Sequence, residues 1–471
     1  MDYSKLGFKC GLEIHQQLET HKLFCSCPSI IHDENPAITV KRKIRAVAGE
    51  TGGVDKAAAF EKARGRTFIY EACKTSSCLV ELDEEPPHDV NPEALMIAME
   101  IALLLNAKPI DRIQFMRKTV IDGSNVSGFQ RTALIATDGY IQTSKGKVAV
   151  PTICLEEEAA KKISDNGNEV TYRLDRLGVA LVEIATDPSI KDAEHAKECA
   201  SIIGMIIRST GKVKRGIGTI RQDVNVSIAG KARVEIKGFQ ELRSMPLVIE
   251  NEVKRQIELK ESKPEVRKAN PDGTTEFLRP MPGADRMYPE TDVKPIIITK
   301  KMLESIELPE LLTEQAIRLE KDYKLNENLA KELVDEEVDF DRYAKAFPKI
   351  EVTFLATALV IYPKEIKRKH NLENLKIKQE DYMQILGYLN EAKISKEAVV
   401  ELMTDAALGK KIDISRFGNV SDDVLRKELK AIVDANKGVS VNALMGDAMK
   451  KFRGKADGKK IMDLLKELAG Q

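Results

Sequence analysis

The sequence predicts an α+β first part followed by an all-α second part, and three observations carry that reading. The 471 residues are too many for one ordinary domain. Before about residue 300, short β-branched runs alternate with Gly, Pro and Asp/Asn turns, whereas after it apolar residues recur at three- and four-residue spacing. Apolar residues make up 42% and charged residues 31%, enough for a core and too apolar for a disordered chain.

In the first part, Lys147 to Cys154, Val179 to Thr186, Arg221 to Ile228 and Ala232 to Lys237 are expected strands. Asn91 to Leu105 and Ala193 to Thr210 are expected helices. Pro92 suits a first helical turn, where its missing N–H leaves no bond unmade. In the second part, helices are expected over Asn326 to Phe347, Lys378 to Leu389, Ser395 to Leu408 and Ser421 to Asn436. Two more follow, Val441 to Lys451 and Lys459 to Leu468. Ser395 and Ser421 suit N-caps and Gly438 a stop.

Lys+Arg and Asp+Glu are both 74, so a wholly basic nucleic-acid binder is excluded and only a local basic patch remains open. Tryptophan is absent and aromatics are 5%, which argues against recognition dominated by base stacking. Seven cysteines, an odd number, do not make a secreted disulfide framework. No apolar run approaches the roughly 18 residues of a membrane span, and the N-terminus lacks a signal pattern. A soluble, cytoplasmic protein with no membrane contact is expected.

The chemistry is carried by acids set in apolar strands. Glu183 sits in VALVEIAT, where a lone buried carboxylate must pair or bind a cation. Glu13 and His15, two apart in CGLEIHQQL, share one face of a strand. Asp223 and Glu235 repeat the arrangement, and LEEEAAKK supplies Glu156, Glu157 and Glu158. Such acids converging beside Arg221 and Lys237 match a Mg²⁺-nucleotide site, because Mg²⁺ takes oxygen ligands and substrate phosphates. Any one of these acids alone reads as a structural ion pair; the set does not. There is no P-loop, and the Asp122 to Gly128 loop (DGSNVSG) by itself reads as a turn. Cys25, Cys27, Cys73 and Cys78 could hold a structural zinc ion or be inert buried thiols. Six histidines assemble no convincing nucleophilic triad. Lys450, Lys451, Arg453, Lys455, Lys459 and Lys460 face only two acids between Met445 and Lys460, a basic loop that could grip RNA or simply be solvated.

The motifs GLEIHQQL, KLFCSCPS, CLVELDEEPPH, FMRKTVIDGSNVSGFQRTALIA, LVEIATDP, NPDGTTEFLRPMPGADRMYPETDV and LMGDAMKKFRGKADGKKIMDLLKELA span nearly the whole chain. They resemble the archaeal E branch of the GatB/GatE family, the kinase and transamidase components of Glu-tRNA(Gln) amidotransferases. The resemblance implies a glutamine-synthetase-like cradle domain over residues 1–299. It further implies a helical domain over 300–412 and a YqeY-like tail over 413–471. It implies a carbon–nitrogen ligase of protein biosynthesis that binds ATP and tRNA. Such an enzyme phosphorylates the γ-carboxylate of misacylated Glu-tRNA(Gln), then amidates it to Gln-tRNA(Gln). The ammonia is channelled from an asparaginase-like partner, GatD, in a heterotetramer of two partner pairs.

Carried over by motif, His15, Glu157 and Glu183 would hold one Mg²⁺. Glu13, Asp223 and Glu235, sharing Glu157 or Glu183, would hold the ion that arrives with ATP. Arg221 and Lys237 are expected as catalytic cations, and Arg117, Lys118, Ser124 and Asn125 as cofactor-binding residues. In the B branch the cysteines form Cys-x-Cys and Cys-x-x-Cys; here the second pair is Cys-x₄-Cys, so Cys73 departs from the pattern. The E branch also carries an aspartyl-tRNA-synthetase-like insertion, for which KESKPEVRKA before Asn270 leaves no room. A tRNA-binding scaffold and a free-standing small-molecule ligase are the competing readings. The retained acids argue against the first and the tail against the second.

Overall fold

The computed structural model describes residues 1–32, 35–48, 52–239, 241–283, 286–372, 377–417, 422–436, 439–452 and 458–469. The chain divides into two compact units, Met1–Leu311 and Leu312–Gln471. The first is a mixed α/β unit built on one large sheet. Its main strands are β1 (Lys9–Gln17), β2 (Met116–Thr119), β3 (Phe129–Thr143), β4 (Gly146–Glu157) and β5 (Ala180–Ala185). They continue with β6 (Ile220–Ser227), β7 (Val234–Lys237), β8 (Glu265–Ala269), β9 (Thr275–Pro280) and β10 (Met287–Pro289). The order is β9-β8-β7-β6-β1-β5-β4-β3-β2-β10, with Lys108–Pro109 pairing to β3 off this path. Only β7 and β8 run parallel; the other neighbours are antiparallel.

Strand alternation divides the sheet into two faces. Leu12 and Ile14 of β1, Val182 and Ile184 of β5, Val224 and Val226 of β6, and Val234 and Ile236 of β7 are buried in one apolar core. Helices Pro92–Leu104, Ala193–Ser209 and Met245–Glu258 contribute Leu95, Ile203 and Val248 to the same core. The intervening residues therefore face the other way, and these are the charged ones.

The two expected helices here are found, and Pro92 does occupy the first turn, with Asn91 capping the N–H groups of Glu93 and Ala94. The residues before Asn270 fold into β8 rather than a mere linker, pairing parallel to β7 (Glu235↔Val266). A second sheet, Ile38–Arg42, Thr67–Ala72, Glu169–Arg173 and Lys161–Asp165, has no counterpart in the strands expected from the sequence. It anchors the DGSNVSG loop: Tyr70 Oη donates to Gly123 O at 2.9 Å and Tyr172 Oη to Asp122 O at 3.1 Å. Gly123 has φ +94°, and a Cβ there would lie 2.2 Å from the Phe68 ring, so glycine is required.

The regular elements among the described residues of the second unit are all helical. Its helices are Leu312–Tyr323, Glu327–Asp335, Phe340–Ala346, Val352–Lys369, Gln379–Asn390, Lys396–Ala407, Asp422–Ala435, Val441–Phe452 and Gly458–Ala469. The expected single helix Asn326 to Phe347 is two, broken where Glu337 takes φ 54° and Asp339 caps the next turn at Arg342 N. Ser395 stands at its N-cap position, but its hydroxyl makes no capping bond. Ser421 and Gly438 lie outside the described residues. One apolar cluster joins Leu333, Leu355, Ala398 and Phe417; a second joins Leu425, Leu444, Phe452 and Ile461. No helix among the described residues is long and apolar enough to cross a membrane.

Candidate active site

The open face of the sheet carries its chemistry in register. His15 on β1 pairs with Glu183 on β5 and with Arg221 on β6, and Glu13 pairs with Asp223. Glu183 pairs in turn with Cys154 on β4, which puts Cys154 and Glu156 on the same face. Glu235 and Lys237 on β7 and Lys118 on β2 extend that face at its two sides. Except for Glu183 and Cys154, these residues line a cavity of about 430 Å³ with Arg233, Arg279 and Arg286.

His15 lies in the middle. Its Nδ1 is 3.5 Å from Glu156 Oε1 and 3.8 Å from Glu183 Oε2, and its Nε2 is 3.6 Å from Asp223 Oδ2. Two donor sets result, His15 with Glu156 and Glu183, and His15 with Glu13 and Asp223. Within each, ligand atoms lie within 4.8 Å of one another. Burial opposes charge on His15, but the carboxylates of Asp223 and Glu156 at its two nitrogens and the field of Glu183 outweigh it and raise its pKa to about 10. Glu156 and Asp223 are buried, which favours their neutral form, yet Lys118 and Lys237 respectively, each together with His15, hold both carboxyls well below the usual range. Burial and the neighbouring Glu156 push Glu183 upward.

The donor chemistry fits divalent magnesium: several carboxylate oxygens, one imidazole, and room for phosphate oxygens. The Nδ1 atom of His15 is buried without a hydrogen-bond partner, as an atom reserved for a ligand would be.

Glu157 requires a correction. It continues the buried apolar series Ile153 and Leu155 of β4, so its side chain leaves the sheet on the core side. There it accepts from Arg131 N at 3.0 Å and lies 3.4 Å from Arg131 Nη1. Glu156, on the open face, lies beside His15 instead, and Glu158 accepts from Arg221 Nη2 at 2.7 and 2.8 Å. Arg117 is corrected for the same reason. It pairs with Arg131 across β2 and β3, on the far face from Lys118. There it donates to Glu290 at 2.7 Å and to Asp292 at 2.9 Å. Lys118, Ser124, Asn125, Arg221, Lys237, Glu13, His15, Asp223 and Glu235 all line the cavity.

The sequence names Glu156 only as one of three adjacent acids, and it does not point to Arg131 or Glu290. Glu290 is fully buried as a side chain and accepts from both Arg131 (Nε, 2.8 Å) and Arg117. Its signal, an acid within MYPETDV, is visible in the sequence, but its arginine partners lie more than a hundred residues away.

The thiols are also rearranged. Cys25, Cys27 and Cys78 converge with Glu81, not Cys73, as the donor set. Cys25 Sγ lies 3.0 Å from Glu81 Oε1, and Glu81 Oε2 accepts from Cys78 N at 2.7 Å. Burial, then Glu81, pushes the Cys78 thiol up to about 12 and Cys25 higher still. Three thiols and a carboxylate match the ligand count of a closed zinc site. Cys73 is buried but belongs to the turn before Cys78, where its carbonyl accepts from Ser76 and Ser77 N.

In the tail, Lys450 pairs with Asp447 at 3.1 Å and Lys451 pairs with Glu428. Lys460 is exposed; Arg453, Lys455 and the Lys459 side chain lie outside the described residues.

The first unit thus carries a cavity lined by carboxylates, lysines and arginines on one face of a largely antiparallel sheet, a lining that suits a divalent cation beside an anionic substrate. The GatB/GatE catalytic domain matches residues 8–304, and a GatB domain of the YqeY kind matches residues 339–468. A protein of Methanocaldococcus jannaschii, named as the E component of glutamyl-tRNA(Gln) amidotransferase, is 37% identical over 625 residues, covering 99% of each chain. Proteins of the same name from Archaeoglobus fulgidus and Thermococcus sibiricus are 36% and 34% identical, covering 99% of this chain and 98% of theirs. This chain belongs to the GatB/GatE family. The alignments run over 616 to 625 positions against 471 residues here, so these relatives carry many residues that have no counterpart in this chain.

Proposed function

We propose that the chain is the E-type component of a Glu-tRNA(Gln) amidotransferase, and that the open face of the sheet performs both halves of the reaction. The observation that carries this is the convergence of Glu13, His15, Glu156, Glu183, Asp223 and Glu235 on one face with Lys118, Arg221 and Lys237. In the first half, a γ-carboxylate oxygen of the tRNA-borne glutamate attacks the γ-phosphorus of ATP and ADP leaves with the P–O bonding pair. In the second, the ammonia lone pair attacks the acyl carbon, the C–O bond breaks, inorganic phosphate departs and nitrogen loses a proton.

Magnesium, held by His15, Glu156 and Glu183 and by Glu13 and Asp223 with Glu235, would supply charge neutralisation between two anionic reactants. Lys118 and Lys237 bring further positive charge to the phosphate path. On the anchored loop, Asn125 offers a neutral donor, its Nδ2 being buried without a partner, while Ser124 lines the cavity with its hydroxyl and N–H donated to Asp122 Oδ1 at 2.6 and 2.9 Å. The Arg221–Glu158 pair reaches across β6–β1–β5–β4 and fixes that side of the cavity.

The remaining assignments follow the same reading. Cys25, Cys27, Cys78 and Glu81 hold a structural zinc ion. The basic residues Lys450 to Lys460 contact the tRNA body. An asparaginase-like partner, GatD, delivers ammonia within a heterotetramer, and the cradle, helical and tail division falls at 299 and 412.

The test is conversion of Glu-tRNA(Gln) to Gln-tRNA(Gln) by the purified chain with ATP, Mg²⁺ and free ammonium, beside Glu183→Ala. Product that needs ATP and vanishes in the variant is expected. If nothing forms, the asparaginase-like partner and asparagine are added. Silence there too would overturn the catalytic reading in favour of a scaffold.

A further inference from the structure

Each donor set already contains an ammonium group. Lys118 Nζ is 2.7 Å from Glu156 Oε2 and 3.4 Å from Glu183 Oε2. Lys237 Nζ is 2.5 Å from both Asp223 Oδ2 and Glu235 Oε1. These carboxylates are also the ones a divalent ion would take. Magnesium binds oxygen at about 2.0–2.1 Å, so ammonium and metal cannot share those lone pairs without one moving away.

The choice of cation is not uniform across the sheet. Three buried carboxylates that flank the donor sets are held by guanidinium groups: Glu158 by Arg221, Glu157 by Arg131, and Glu290 by Arg131 and Arg117. A guanidinium fork fixes its partner in one geometry, whereas an ammonium on a four-carbon stem can swing to another. Around this cavity, lysine stands against the carboxylates a metal would take and arginine against those beside them. Both lysines line the same cavity as Arg233, Arg279 and Arg286, a surface that suits a polyphosphate.

We propose that Lys118 and Lys237 are exchangeable counter-cations. In the metal-free site they neutralise the Glu156–Glu183 and Asp223–Glu235 pairs. As divalent ions enter, the ammonium groups pass to phosphate oxygens of the nucleotide. Metal loading and nucleotide binding then depend on each other, and linkage makes that dependence reciprocal. The inference rests on the nucleotide reading above, and no covalent bond changes in it.

The test is Mn²⁺ binding by the full chain, followed by electron paramagnetic resonance, with and without the β,γ-methylene analogue of ATP. In the wild type the analogue should tighten Mn²⁺ binding by about tenfold or more. Lys118→Met and Lys237→Met should each bind Mn²⁺ about tenfold more tightly than wild type without nucleotide, and should lose most of the nucleotide-dependent gain. Lys118→Arg, which keeps the charge but grips more firmly, should bind Mn²⁺ no better than wild type. Circular dichroism establishes that each variant is folded, and the arginine variant and the second lysine keep the test decisive if one methionine variant is not. Methionine variants with unchanged or weaker Mn²⁺ binding, or with the full nucleotide gain retained, would overturn the inference. Wild type that binds both ligands without mutual effect overturns it alone; wild type that binds neither overturns the functional reading with it.

Discussion

The two faces of the large sheet solve the problem of buried charge in opposite ways. On the core face of β2, β3 and β4, Arg117 and Arg131 clamp Glu157 and Glu290 beside Phe24 and Phe129. On the open face, one residue along each strand, Lys118 meets Glu156 and Glu183 around an imidazole. The first arrangement is held by geometrically fixed guanidinium forks; the second opens on a cavity and leaves His15 Nδ1 without a hydrogen bond. On the core face arginine forks lock the carboxylates in place; on the open face Glu156 and Asp223 are held by the more flexible ammonium groups of Lys118 and Lys237.

The largest expected break in this comparison comes on the open face. Glu183→Ala should lower turnover of Glu-tRNA(Gln) by on the order of a thousandfold, measured with free ammonium, while the melting temperature stays near wild type. Next comes the contrast between neighbours. Glu156→Gln should weaken Mn²⁺ binding by about a hundredfold. Glu157→Gln should leave that binding within about twofold and instead cost about 3 kcal/mol of stability in urea titration, because Arg131 loses a partner. Equal effects of the two on Mn²⁺ would erase the distinction between faces.

That contrast also marks how far the site was legible. Glu13, His15, Glu183, Asp223 and Glu235 were readable because each sits in a strand whose alternate residues are plainly apolar. LEEEAA offers three acids in a row, and motif matching favoured Glu157. The apolar pair Ile153 and Leu155 assigns Glu157 to the core face, a signal present in the sequence but overridden by the match. Pairing of Glu183 with Cys154 settles the same point, yet strand register between distant segments leaves no local trace. Arg117 and Lys118 are the same case, adjacent residues sent to opposite faces.

The fold shows a similar division. Strands and helices with clean periodicity were legible, and the order of ten strands along the sheet was not. The helix Val352–Lys369 went unread because Pro363 interrupts its pattern. The Glu327–Asp335 and Phe340–Ala346 helices merged because the left-handed Glu337 between them is not a glycine. Cys73 for Glu81 is an error of type, since a cysteine pattern does not point to a carboxylate donor.

A smaller effect sharpens the core face. Burial favours a neutral Glu290, but hydrogen bonds from Arg117, then from the backbone of Asp292, together with Arg131, hold its carboxyl below the usual range. Its contribution is therefore complete above the unfolded value of about 4.3 and is lost as pH falls through the lower folded value. Glu290→Gln should cost about 3 kcal/mol at neutral pH, and the gap from wild type should narrow below about pH 4. Smallest in its effect on turnover is the thiol site. Cys78→Ser should lower bound zinc measured by elemental analysis, and Cys73→Ser should leave it unchanged.

The most direct measurement is an anomalous-difference map from crystals of this chain soaked in Mn²⁺ with the β,γ-methylene analogue of ATP. The account predicts manganese on the open face among His15, Glu156 and Glu183, with a second ion by Glu13 and Asp223 and none against Glu157. A peak coordinated by Glu157 on the core face, or no peak in the cavity at all, would contradict it.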